Sequence, residues 1–297
     1  MSKQKLNKAT YSIHQLVRNM PLRTYTTRAD TQEILIRCIK ILHTLGFKLS
    51  HIKGLKAKHV EALVQYWKAQ SLTTATIKNY MAKLRSACQI MGKGNLISAA
   101  NIAYDIGKRQ PASQENKAIQ VLCLDGITDP YLRLSLQAQQ LFGLRREESM
   151  KLKVSQADQG NYLRLQGSWT KGGIMRCIPI ITQAQRNFLD RLHQIVKENS
   201  LIPKHRTYKQ QLHRYINQTR RAGLTNLHGL RHAYAQRRYR VLTDVQTQGK
   251  GWDCPFQGGL SVKEMTSAQR DIDYQVRWQI SQELGHSRVS ITKTYLG

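Results

Sequence analysis

Residues 226–239 run NLHGLRHAYAQRRY, and the rest of the chain is read outward from this stretch. The segment Leu227 to Arg240 predicts a helix, with Thr225 or Asn226 as its cap. His228 and Arg231 stand one helical turn apart and point the same way, which sets a titratable imidazole beside a permanent guanidinium. Alone, such a pair is ordinarily structural. Further along, residues 283–296 read ELGHSRVSITKTYL and place His286 nine residues before Tyr295.

Upstream, two more segments carry reactive side chains. LFGLRREESMKL at 141–152 holds Arg145 and Glu148 three apart at a helix start or turn. SWTKGGIMRCIPI at 168–180 is the second half of an expected hairpin from Tyr162 to Ile180, turning at Gly172-Gly173, with Lys171 at its tip. Read singly, an R-x-x-E in a basic protein is a solvated surface pair and a turn lysine keeps a tip soluble. Around them, Tyr131–Leu144, Gln183–Glu198 and Tyr208–Ala222 read as helices.

The first third repeats apolar residues at helical spacing. Leu35, Cys38, Leu42 and Leu45 lie between Gln32 and Gly46, followed by Val60, Leu63, Val64 and Trp67. A third stripe is Ile77, Met81, Leu84, Cys88 and Met91, with Lys78, Asn79, Lys83 and Arg85 on the other faces. The expected organisation is a helical domain at 1–110, a polar linker at 111–118 that begins inside GKRQPASQENK (107–117), and a mixed domain at 119–297.

Lys and Arg total 47 against 18 Asp and Glu, a formal net charge of +29 over 297 residues. That imbalance suits a partner rich in phosphate, and nucleic acid is the leading expectation. The basic N-terminus lacks the apolar run of a signal peptide, and no stretch reaches the ~18 apolar residues of a membrane span. A cytoplasmic, nucleoid-associated protein is expected, with no membrane partner. Cys38, Cys88, Cys123, Cys177 and Cys254 form no CxxC pair and read as buried reduced thiols, and no carboxylate or His/Cys cluster suits a metal. No cofactor and no metal are expected.

The ordered set of arginine, hairpin lysine, His-x-x-Arg, Leu-Gly-His and tyrosine resembles the tyrosine recombinase, or phage integrase, family. GLRREE looks like the family's first arginine box, LHGLRHAYA its His-x-x-Arg box and LGHSRVSITKTYL its terminal box. LTTATIKNYMAKLRSA is similar, more weakly, to its core-binding domain. The resemblance implies a mainly α fold with a small β-sheet, in which a helical core-binding domain and an α+β catalytic domain form a C-shaped clamp on double-stranded DNA. It implies an active site of Arg145, Lys171, His228, Arg231, His286 and Tyr295, with Glu148 and His232 in support. A homotetramer on two DNA sites follows from it, with accessory DNA-bending proteins as further partners. Lys78, Asn79, Lys83 and Arg85 are the candidate DNA contacts of the first domain, against the plain alternative of a solvated helix face.

The chemistry fits these residue types. Cleaving a phosphodiester asks for a nucleophile, a proton donor to the leaving oxygen, and positive charge at the non-bridging oxygens. Tyr295 supplies the first, Lys171 the second, and the planar forks of Arg145 and Arg231 the third. His228 would help move the tyrosine proton and His286 would bond a phosphate oxygen. A phosphotyrosine conserves bond energy, so rejoining needs no ATP.

Two departures stand out. Fifty-five residues separate Arg231 from His286, wider than the family's usual spacing, with the excess in a loop-like insertion at about 241–275 that carries Trp252 and Phe256. This segment reads equally as a surface excursion or as a contact surface. The chain also stops at Leu296-Gly297 without the family's docking tail, so that a free end is able to leave Tyr295 outside the site until DNA binds. The insertion and the end favour a mobile-element integrase. A type IB topoisomerase and a non-catalytic DNA-binding regulator are the alternatives.

Overall fold

The computed structural model describes residues 2–22, 24–109 and 115–297. The chain folds as two compact units, Met1–Pro111 and Ala112–Gly297. Of the expected linker, positions 111–114 lie outside the described residues. In the rest, Asn116 accepts a 2.8 Å bond from Gln236, and just beyond it the Ile119 amide donates to the Gly229 carbonyl at 3.0 Å.

The first unit is built on α1 (Ser2–Arg18), α2 (Tyr25–Thr44), α3 (Ala57–Ala69) and α4 (Thr74–Ile90). Helix α1 is missing from the reading above, although Ala9, Ile13 and Val17 recur every four residues and are all buried. Helix α2 starts at Tyr25 rather than Gln32 because Thr24 caps it, accepting from the Thr27 amide at 3.1 Å. Thr73 caps α4 in the same way through the Thr76 amide. Leu35, Leu42, Leu63, Trp67, Met81 and Leu84 fill the centre, each worth roughly 1.5–3 kcal/mol of transfer free energy.

The second unit opens with α5 (Pro130–Phe142), capped by Asp129, whose carboxylate accepts from the amides of Tyr131 and Leu132. Short helices α6 (Arg146–Lys151) and α7 (Val154–Ala157) lead into β1 (Tyr162–Leu165) and β2 (Arg176–Pro179). The two strands pair antiparallel with Tyr162 opposite Pro179, around the expected turn, where Gly172 and Gly173 both take positive φ. Then come α8 (Gln183–Val196), α9 (Tyr208–Arg221), α10 (Gly229–Gln246), α11 (Ser267–Glu283) and α12 (Lys293–Leu296). Helices α8, α9 and α11 each begin with a Thr-x-x-Gln box, at Thr182, Thr207 and Thr266.

The insertion expected at about 241–275 is only partly loop-like. Residues 241–246 finish α10 and Ser267 already belongs to α11, leaving 247–266 as the irregular part. It is not a surface excursion, since Cys254 is fully buried and Trp252 and Phe256 pack on the core. The cysteine reading is also corrected. Cys38, Cys88 and Cys254 are buried, but Cys123 and Cys177 are exposed. Cys177 faces out because Arg176 and Ile178 take the inward positions of a strand whose side chains alternate. No helix of the described residues is long and apolar enough to cross a membrane.

Candidate active site

His228 sits at the N-terminus of α10 in helical conformation and makes no capping bond. Neither Thr225 nor Asn226 caps the helix. Asn226 adopts φ 52°, and its carbonyl receives the Gly229 amide at 2.7 Å. One turn in, Arg231 is 1% exposed. Its Nη1 donates to the Gly143 carbonyl at 2.6 Å and its Nη2 to the Leu284 carbonyl, so one guanidinium ties the end of α5 to the end of α11. Burial, with Arg145 adding, lowers its pKa to about 10, which leaves it charged at neutral pH.

Glu148 is 1% exposed and lies between two arginines. Arg145 donates to it twice, from its backbone amide at 2.7 Å and from Nη1 at 2.8 Å. Arg176 donates a fork of two bonds, at 2.9 and 2.7 Å. Burial alone would raise this carboxyl, but the bonds and charge of Arg176, then of Arg145 and Arg231, hold it down to about 2. Glu148 is thereby an orienting acceptor and not a proton carrier. Three guanidiniums around one carboxylate leave the cluster short of negative charge, the condition for taking an anion. Arg145, with 21% of its side chain exposed, is the one that reaches solvent.

Tyr295, on α12, is 5% exposed and lies inside this cluster. Its hydroxyl lies 3.2 Å from His286 Nε2, and the Arg231 guanidinium sits 5.9 Å from its ring centroid. Arg231 Nη2 also approaches His286 Nε2 at 3.5 Å. The phenol hydroxyl and the guanidinium thus both lie against the same ring nitrogen of His286. Burial and then Arg231 lower His286 to about 4, so the ring is neutral at pH 7. His232 packs 4.6 Å from the tyrosine ring and His228 stands 6.2 Å away. Burial and then His228 lower His232 to about 4, while burial, Arg231 and Arg145 lower His228. The imidazole within hydrogen-bond reach of the phenol is thus His286, with His232 and His228 beside the tyrosine ring.

The structure brings Arg145, Glu148, His228, Arg231, His232, His286 and Tyr295 together. Lys171 is not among them. It stays exposed in the hairpin turn, with no hydrogen bond or ion pair among the described residues. In the first unit, Lys83 bonds Thr31 and Asp30, each at 3.0 Å, and Arg85 braces Ser98 and Asn101. Asn79 is exposed and Lys78 half-buried.

Arg176 and Glu283 are absent from the sequence reading. Arg176 Nε donates to the Glu283 carbonyl at 2.9 Å, and the Glu283 side chain accepts from Tyr234 at 2.9 Å and pairs with Arg238 at 2.9 Å. Between them Gly285, at φ +67°, leaves room for Arg176, since a Cβ there would lie 2.9 Å from its Cδ. One signal was legible: Arg176 interrupts a strand whose inward neighbour is Ile178, and an arginine at an inward position calls for a buried acid.

Two family models match the chain. Residues 6–97 fit one described as phage integrase, N-terminal, and residues 104–237 fit one described as integrase. No curated protein sequence matches. Among solved structures, the Tn1549 transposon integrase in complex with circular intermediate DNA is similar at TM-score 0.53 and 15% identity, covering 98% of this chain and 95% of that one. The lambda integrase tetramer bound to a Holliday junction scores 0.53 at 15% identity, over 83% and 75%. The XerH site-specific recombinase bound to palindromic difH substrate scores 0.53 at 14% identity, over 100% and 94%. At these identities the likeness is one of fold.

Proposed function

The chain belongs to the tyrosine recombinase family of phage integrases, and on that premise we propose that it cuts and rejoins DNA at specific sites through Tyr295, as the integrase of a mobile element. The Tyr295 oxygen attacks a backbone phosphorus, the bond to the 5′ oxygen breaks, and a 3′-phosphotyrosine forms. A 5′ hydroxyl from a second strand then attacks this ester and frees the tyrosine. The phenol proton passes to His286, with His228 helping to move it. Arg145 and Arg231 carry the charge that builds on the non-bridging oxygens, where one such donor is worth ~10²-fold or more. Lys171, on the hairpin tip, folds in over bound DNA and gives its proton to the leaving 5′ oxygen. Duplex DNA is the substrate, and four copies act on two sites at the nucleoid, with bending proteins as accessories.

The observation that carries this reading is the phenol of Tyr295, 3.2 Å from His286 Nε2 and beneath the Arg231 guanidinium. It is tested with nicked suicide duplexes, in EDTA, on a denaturing gel. Wild type forms a covalent protein-DNA adduct and Tyr295→Phe forms none while binding DNA equally. DNA binding without an adduct on any substrate would turn the reading to a regulator on this fold. Relaxation of supercoils without strand exchange between duplexes would turn it to a topoisomerase.

A further inference from the structure

Helix α12 is a single turn of four residues, too short to hold its shape unaided, so packing must hold Tyr295 in the site. Part of that packing comes from residues 251–259, inside the segment that widens the spacing between Arg231 and His286. The loop is folded tightly on itself: a Cβ on Gly259 would lie 1.6 Å from the Asp253 carbonyl oxygen. Trp252 anchors it. Its backbone exchanges two bonds with the Thr243 hydroxyl, at 3.2 and 2.9 Å. Its indole N–H donates to the Tyr239 hydroxyl at 3.0 Å, which in turn donates to Asp273 at 2.6 Å.

From this anchor the turn Pro255–Gln257 reaches α12 and packs against it. The contact is close enough that a Cβ on Gly297 would lie 2.9 Å from Pro255 Cβ and 3.2 Å from Phe256 Cδ1. A polar chain closes the other side. The Phe256 carbonyl accepts from Asn116 at 3.0 Å, Asn116 accepts from Gln236 at 2.8 Å, and Gln236 also donates to the Tyr295 carbonyl at 3.1 Å.

We infer that the 251–259 loop is a seat that positions the nucleophile in cis, with Trp252 as its anchor and Phe256 as its bearing surface on α12. This rests on Tyr295 being the nucleophile. The seat lets one copy of the chain dock its own tyrosine without an element from a neighbour. Trp252 and Phe256 are positioning residues and touch no reacting atom.

The test follows the release of α12 directly. Trypsin cuts after Lys293, and its rate on a folded chain tracks the population of the open form. Wild type, Phe256→Ala, Trp252→Phe and Gly297→Ala are compared by mass spectrometry for loss of residues 294–297, and by single-turnover adduct formation on the suicide duplex. Gly297 lies outside the hydrophobic cores and takes φ +94°, so its Ala variant loads backbone strain as well as the Pro255 contact onto the end of α12, and Phe256→Ala carries the test of the contact alone. Phe256→Ala and Gly297→Ala are expected to speed release about tenfold and slow the adduct by a similar factor, with DNA affinity unchanged. Trp252→Phe, which keeps a ring but loses the N–H, does the same to a smaller extent. Unchanged release and adduct rates overturn the seat. So does a slower adduct without faster release, or a rise in cleavage at every tryptic site in parallel. If wild type makes no adduct, the nucleophile reading fails instead, and the release rates alone still decide whether the loop holds α12.

Discussion

Arg176 grips Glu148 with two parallel hydrogen bonds of 2.9 and 2.7 Å, both side chains almost wholly buried. The same guanidinium holds the Glu283 carbonyl, one residue before the carbonyl that holds Arg231. The turn that presents Arg145 is thereby tied to the chain that presents His286. Removing one partner strands a buried charge, at a cost of ~3–5 kcal/mol. Arg176→Met and Glu148→Gln singly are expected to lose that much stability in urea melts and to slow adduct formation by ~10²-fold, with DNA affinity little changed. The double variant should be more stable than Glu148→Gln alone, because it removes one of the three guanidiniums left without their carboxylate.

Lys171 should behave in the opposite way. It is exposed and unbonded among the described residues, so Lys171→Ala leaves the melt unchanged. Cleavage slows by ~10²–10⁴-fold if the ammonium is the general acid. A substrate with sulfur in place of the bridging 5′ oxygen leaves as thiolate without needing a proton, and it should restore the rate. Failure of that rescue would remove Lys171 from the proton-transfer step.

Stability should rise with pH in two windows. His232 and His286 are each held at about 4, below the ordinary histidine value of 6.5, so the unfolded chain binds more protons between those pH values. Their contribution is full above pH 6.5 and is lost as pH falls toward 4. Glu148 is held at about 2, below its ordinary 4.5, and its contribution, on the order of 3 kcal/mol, is lost as pH falls from 4.5 toward 2. Melts from pH 2 to 8 check both windows. His286→Gln should shrink the upper one, leaving the His232 share, and Glu148→Gln should flatten the lower.

A net charge of +29 predicts DNA binding that collapses with salt. Release of counterions from several phosphates gives a slope of log affinity against log salt of about −5 or steeper. Arg145→Ala, which removes a solvent-reaching fork, should make it shallower by about one unit. Arg231→Lys loses the two carbonyl bonds of a buried guanidinium and should leave the slope unchanged while slowing cleavage ~10²-fold.

Local rules, read along the chain, were enough for much of this. Helical spacing at Leu35, Leu63 and Leu84 made a bundle of the first third. The Gly172-Gly173 turn made a hairpin, and the order of His228, Arg231, His286 and Tyr295 pointed to phosphodiester chemistry. Each of these depends on residues close in sequence or on a fixed order of residue types. Thr266-x-x-Gln269 was an equally local signal for α11, and reading that segment as insertion overlooked it.

What the tertiary structure decided depends on pairs far apart in the chain. Glu148 and Arg176 are 28 residues apart, and Arg231 and the Leu284 carbonyl are 53 apart. No spacing predicts that such groups meet, since only packing sets which carbonyl faces which guanidinium. The phenol's partner, the inward turn of Arg176 and the bearing of Phe256 on α12 all belong to that second kind of knowledge. The sequence determined which groups are available for the chemistry. The fold determined which are buried, and burial sets their charge and their partners.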